Sequence, residues 1–137
     1  MLRNPARTAA ACVGSSDRHQ LVAVARRMTE APMLKVHGEA VEMCRELAPL
    51  CRQISKHDLD LARQLRRAAS SVVLNLGEGA YLGGGLERAR FKTALGSAAE
   101  VRSAVLVAEA FGLVELLDHA RRDRIDKIIA TLRKLTR

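Results

Sequence analysis

Three short runs of cations are the groups in this chain best suited to chemistry: Arg63 and Arg66, then Arg88, Arg90 and Lys92, then Arg121, Arg122 and Arg124. A guanidinium offers a planar fork of N–H donors that matches two phosphate oxygens, so rows of arginine suit a polyanion. The overall charge points the same way, because 23 Lys and Arg against 15 Asp and Glu leave a formal +8. Eighteen of those cations are Arg, an excess that high-GC coding also produces. With one Tyr, two Phe and no Trp there are few rings on which a base could stack. Binding to RNA or DNA is therefore expected to be electrostatic, non-specific and steeply salt-dependent.

Other chemistries lack their residues. A di-iron site in a helical bundle needs Glu-x-x-His pairs on facing helices. Here His37 precedes Glu39, and Glu115 lies four before His119, so the motif is missing. Cys44 and Cys51 are seven apart with no CxxC pair, which disfavours zinc and reads as two buried thiols of a reducing compartment. Gly83, Gly84 and Gly85 lack the lysine and serine of a phosphate loop and make a turn. No nucleophile, base and orienting acid can be picked out. The expectation is a non-catalytic protein that needs no cofactor and no metal.

A second polar pattern has helical spacing. Arg67, Ser71, Asn75 and Glu78 lie along one side of a helix, and Thr93, Ser97 and Glu100 along one side of the next. If the two helices fold back near Gly84, Arg67 comes opposite Glu100, Ser71 and Asn75 opposite Ser97 and Thr93, and Glu78 opposite Arg88 or Arg90. Small neighbours (Ala68, Gly79, Ala94, Gly96, Ala98) allow close approach, so the pattern predicts a part-buried hydrogen-bonded seam. A buried Arg67–Glu100 pair would cost about 2 to 4 kcal/mol if one partner were removed.

The elements that would carry these residues are helices. With 48% apolar residues and 2% aromatic, the core must be Leu, Val, Ile, Ala and Met, and 137 residues suffice for one domain. After Pro32, the residues Val36, Ala40, Met43, Cys44, Leu47, Cys51 and Ile54 recur at three and four, with Pro49 expected to kink the helix or leave a short final turn. Asp58 should cap a second helix running from about Leu59 to Leu82. A third opens at Leu86 and stops at Gly112, and a fourth begins near Val114 or Asp118 and runs through Leu135. Short links between long helices predict an all-α, antiparallel up-down four-helix bundle over residues 33–137. Residues 1–32, rich in Arg, Ala and Ser, are expected to be a disordered or misassigned tail, since Met28 and Met33 are both possible starts. The tail carries a net +3 and the body +5.

The seam residues carry a resemblance. Gln64-Leu65-Arg66-Arg67-Ala68-Ala69-Ser70-Ser71-Val72, then Asn75-Leu76-Gly77-Glu78-Gly79, resembles the signature of the four-helix-bundle proteins of 23S rRNA intervening sequences. Arg90-Phe91 and Ala94-Leu95-Gly96-Ser97-Ala98-Ala99-Glu100 resemble that family's second block. The similarity runs from about Leu34 to Thr136. It departs from the family at Val72 to Leu74, where an aromatic and a proline or small residue are usual, and at Gly83 to Gly85, which replace a longer polar turn. The resemblance implies an antiparallel bundle assembling as a homopentamer. It also implies kinship with the accessory protein of diversity-generating retroelements, a basic pentamer that binds nucleic acid and a reverse transcriptase.

The reading is an oligomeric bundle that binds nucleic acid through a basic surface. The alternative is a scaffold that holds a protein partner, such as a reverse transcriptase, without touching nucleic acid. A ligand or metal carrier is the weakest reading, for want of a polar constellation. No apolar run reaches eighteen residues and no hydrophobic signal region opens the chain, so a cytoplasmic protein without membrane contact is expected.

Overall fold

The computed structural model describes residues 19–20 and 32–137 and is all-α, with no strand among them. The helices are α1 (Pro32–Ser55), α2 (Leu59–Tyr81), α3 (Gly84–Ala110) and α4 (His119–Leu135). Apart from residues 19–20 and Pro32, which opens α1, the expected tail lies outside the described residues.

Each helix packs on the next and α4 also packs on α1, which closes a four-helix bundle. Its axis is filled by one residue from nearly every turn, including Met43, Ile54, Leu65, Val72, Leu76, Val101, Ile128 and Leu132, all almost without solvent contact. Alanines fill the remaining space on α3, where Ala94, Ala98 and Ala108 are fully enclosed. Small residues at these positions let backbones approach closely, as a core poor in aromatics requires.

The helix ends follow local chemistry. Asp58 accepts from the Leu61 N–H at 2.8 Å and Asp118 from the Arg121 N–H at 2.9 Å, each satisfying a donor the first turn cannot. Gly112 has φ +66°, and the Leu113 N–H reaches back to the Ala108 carbonyl, so α3 closes in a Schellman motif with Leu113 folded against the core. The first helix continues through Pro49 to Ser55, because Leu47, Leu50 and Ile54 anchor it to the core while the proline lies exposed. The fourth helix begins after Asp118, leaving Val114 in the link, where it is buried with Leu117.

Candidate nucleic-acid interface

The seam between α2 and α3 forms at its centre and not at its far end. Ser71 and Ser97 share a hydrogen bond at 2.8 Å, and the Asn75 amide donates to the Ser71 carbonyl at 2.9 Å and to its hydroxyl at 3.1 Å. Asn75 is buried, and its carbonyl accepts from Arg90 at 3.4 Å. Arg90 also pairs with Glu78 at 3.1 Å. No buried side-chain donor or acceptor among the described residues lacks a partner. Arg67, Thr93 and Glu100, by contrast, are exposed, and Thr93 merely returns a bond to the Ala89 carbonyl.

The Arg67–Glu100 pair therefore does not form, and helix geometry gives the reason. At about 3.6 residues per turn, each four-residue step carries a side chain roughly 40° past a full turn. A row spaced four apart drifts around the helix, so Asn75 lies inside, Ser71 at the border and Arg67 outside. Replacing Arg67 or Glu100 by alanine is expected to change stability by less than about 0.5 kcal/mol, the usual range for a surface site. A urea titration that found more than about 2 kcal/mol would restore the buried pair.

The eight basic residues picked from the sequence do not share one surface. Arg63 and Arg66 stand near the start of α2, with Arg63 only 3.9 Å from Asp60. Arg121 pairs with its own cap, Asp118, at 3.3 Å. Arg122 and Arg124 are both engaged by carboxylates of the protein. Arg122 binds Glu109 at 2.6 Å and the Leu117 carbonyl at 3.0 Å. Arg124 binds Glu46 at 3.0 Å and also Glu39, which ties α4 to α1. These arginines tie elements of the bundle together, and their charge is already met by carboxylates of the protein. Arg90 is likewise committed to the seam.

What remains is a cluster the sequence pattern missed. The Arg88 Nε donates to the Thr136 carbonyl at 3.1 Å, which brings the start of α3 against the end of α4. Lys92 follows one turn after Arg88, and Arg133, Lys134 and Arg137 surround Thr136. All five cations are exposed, and none has a carboxylate within ion-pair distance among the described residues. The missing signal was tertiary, since the two halves of the cluster lie more than forty residues apart and are joined by the Arg88–Thr136 contact.

The thiols are half-buried. Cys44 donates to the Ala69 carbonyl at 3.5 Å. Burial pushes both thiols up from the ordinary thiol range; for Cys44 the neighbouring Cys51 adds to the rise, and for Cys51 the Arg66 guanidinium opposes it. Neutral thiols are poor nucleophiles and poor metal ligands. Among the described residues no group of His, Cys, Asp and Glu is arranged to hold a metal ion, and no helix is long and apolar enough to cross a membrane.

The family model described as 23S rRNA-intervening sequence protein matches residues 33–136. Neither a curated protein nor a solved structure matches the chain.

Proposed function

Since the chain belongs to the 23S rRNA-intervening sequence protein family, we propose that it is a non-catalytic, cytoplasmic, oligomeric helical bundle that binds nucleic acid through the paired ends of α3 and α4. The observation that carries this reading is the unpaired set Arg88, Lys92, Arg133, Lys134 and Arg137. Five exposed cations with no acidic partner among the described residues repel one another, and a phosphate backbone relieves that repulsion by releasing its counterions. Arg88 is held by the Thr136 carbonyl, which leaves the end of its guanidinium fork for phosphate. With no ring among the five, the contacts are to the backbone and not to bases, so sequence preference is weak.

The pairing of Ser71 with Ser97 and of Asn75 with Arg90 supports an antiparallel up-down arrangement, and the family resemblance supports a homopentamer. A second reading, the protein scaffold, draws on Leu74, Tyr81 and Leu86. These are exposed large apolar residues that flank the α2–α3 turn and could seat a partner such as a reverse transcriptase.

The test is fluorescence anisotropy of the purified full chain against labelled duplex DNA, structured RNA and single strands. The triple variant Arg88→Ala, Lys92→Ala, Arg133→Ala is expected to weaken binding at least tenfold at near-physiological salt and to flatten the salt slope by about one unit per cation removed. The exposed Arg67→Ala serves as the single-charge control. A triple variant that binds like the unaltered chain places the interface elsewhere.

A further inference from the structure

A second feature lies at the opposite end of the molecule from the basic cluster. Between α1 and α2 runs a groove of about 550 Å3. Its floor is small and apolar, with Cys44, Ala48, Cys51, Ala62 and Ala69, and its rim carries Arg52, Arg63 and Arg66. Arg52 and Arg66 have no carboxylate partner among the described residues, and Arg63 reaches Asp60 only at 3.9 Å. A groove of this make-up fits an apolar knob that carries negative charge.

The same chain presents such a knob. In the link between α3 and α4, Leu116 is 77% and Phe111 71% exposed, the highest values among the large apolar residues described. Glu115 lies beside Leu116, exposed and without a cationic partner among the described residues. The link is held rigidly. Leu117 and Val114 are buried beneath it, Glu109 accepts from the Leu117 N–H at 2.8 Å, and Gln53 donates to the Leu113 carbonyl at 3.3 Å. That last contact puts the link at the same end of the bundle as the end of α1, which is where the groove lies. The packing order α1, α2, α3, α4 puts the α1–α2 edge across the bundle from the α3–α4 edge.

We infer that the link of one copy docks into the α1–α2 groove of the next, with Leu116 and Phe111 on the Cys–Ala floor and Glu115 against Arg52 and Arg66. A knob and a socket on opposite sides of one molecule, at the same height, make a head-to-tail contact, and such a contact closes into a ring when the rotation between copies divides a full turn. This inference rests on the oligomeric reading above and specifies the surfaces that produce it. It also accounts for Arg63 and Arg66 standing apart from the basic cluster at the other end. Nucleic acid then meets one rim of the ring while the subunit contacts occupy the other.

The test is a disulfide trap in the full chain with Cys12→Ser, Cys44→Ser and Leu116→Cys, leaving Cys51 as the groove thiol. Mild oxidation with copper phenanthroline is expected to give a ladder of linked species beyond the dimer on non-reducing gels, and Cys51→Ser is expected to abolish it. Because the variant alters packing residues, a second measurement accompanies it. Ala48→Arg, at an exposed position in the groove, is expected to weaken self-association at least tenfold by light scattering while leaving the circular dichroism spectrum unchanged. A protein that is oligomeric by light scattering but gives no Cys51-dependent ladder overturns the knob-and-groove contact and leaves the oligomeric reading standing. A monomer at about 100 μM overturns both. Linked dimers that form without Cys51 show a symmetric contact at Leu116 and overturn the head-to-tail arrangement.

Discussion

Glu109→Ala is expected to destabilise the fold by about 2 to 3 kcal/mol, measured by chemical denaturation followed by circular dichroism. The Glu109 side chain is only 5% exposed, yet one of its oxygens serves two donors, the Arg122 guanidinium at 2.6 Å and the Leu117 N–H at 2.8 Å. Arg122 continues the chain of bonds to the Leu117 carbonyl. Removing the carboxylate leaves a part-buried cation and a backbone donor unmatched at once, and the link between α3 and α4 loses its anchor. Arg122 keeps 37% of its side chain in water, which places the expected cost below that of a fully enclosed pair. Glu109→Gln, which keeps an acceptor for Leu117 but not the charge, is expected to lose about half as much. A loss under about 0.5 kcal/mol for the alanine variant would mean that the link is held by Val114 and Leu117 alone.

Gly79→Ala is expected to cost about 1 to 3 kcal/mol although alanine is the better helix former. A Cβ at this position would run into Cε1 of Phe91, and would lie 2.9 Å from its Cδ1 and 3.3 Å from the Arg90 Cβ. The Phe91 ring is 3% exposed and packed in the core, so it has little room to swing aside. The sign should reverse when the ring is removed. In a Phe91→Ala background, Gly79→Ala is expected to be neutral or to stabilise by up to about 1 kcal/mol, because only the helix-propensity gain remains. Two equal losses in the two backgrounds would show that the ring is not the obstacle. This close approach lies beside the seam, and it is what brings Arg90 within reach of Asn75 and Glu78.

Much of the fold was legible because helices repeat. The three-and-four spacing from Val36 to Ile54, the cap at Asp58 and the stop at Gly112 are local signals, and each acts through neighbours within a turn or two. The centre of the seam was legible for the same reason, since Ser71 and Ser97 needed only the correct turn to meet. Its end was not, because spacing alone does not record the slow rotation that carries Arg67 and Glu100 into solvent. The basic residues were legible as charges and not as a surface. Arg124 finds its carboxylates on α1, at Glu39 and Glu46, and Arg122 finds Glu109 on α3, so neither partnership shows in the local pattern. Glu109 offered one hint: it is an acidic residue directly after the enclosed Ala108, close to the core side of α3. The α3 helix also carries Leu86, Leu106 and Val107, apolar residues that lie exposed outside its core stripe, while Leu95 packs partly against the core.

The two ends of the bundle divide the work in this account. The end built from the start of α3 and the close of α4 carries cations without a carboxylate partner among the described residues, while the end built from the α3–α4 link carries the part-buried Arg122–Glu109 pair, a knob and a groove. Charge that is already paired inside the protein contributes little to counterion release, so the phosphate contacts should number about five and not the full count of basic residues.

The most direct measurement is therefore the slope of log Kd against log salt concentration for the full chain with structured RNA, taken by anisotropy between about 50 and 200 mM salt. A steep linear weakening with a slope of magnitude about 4 is expected, as five phosphate contacts give. A protein that is folded by circular dichroism and yet shows no binding at the lowest salt, or binding that salt does not weaken, would contradict it.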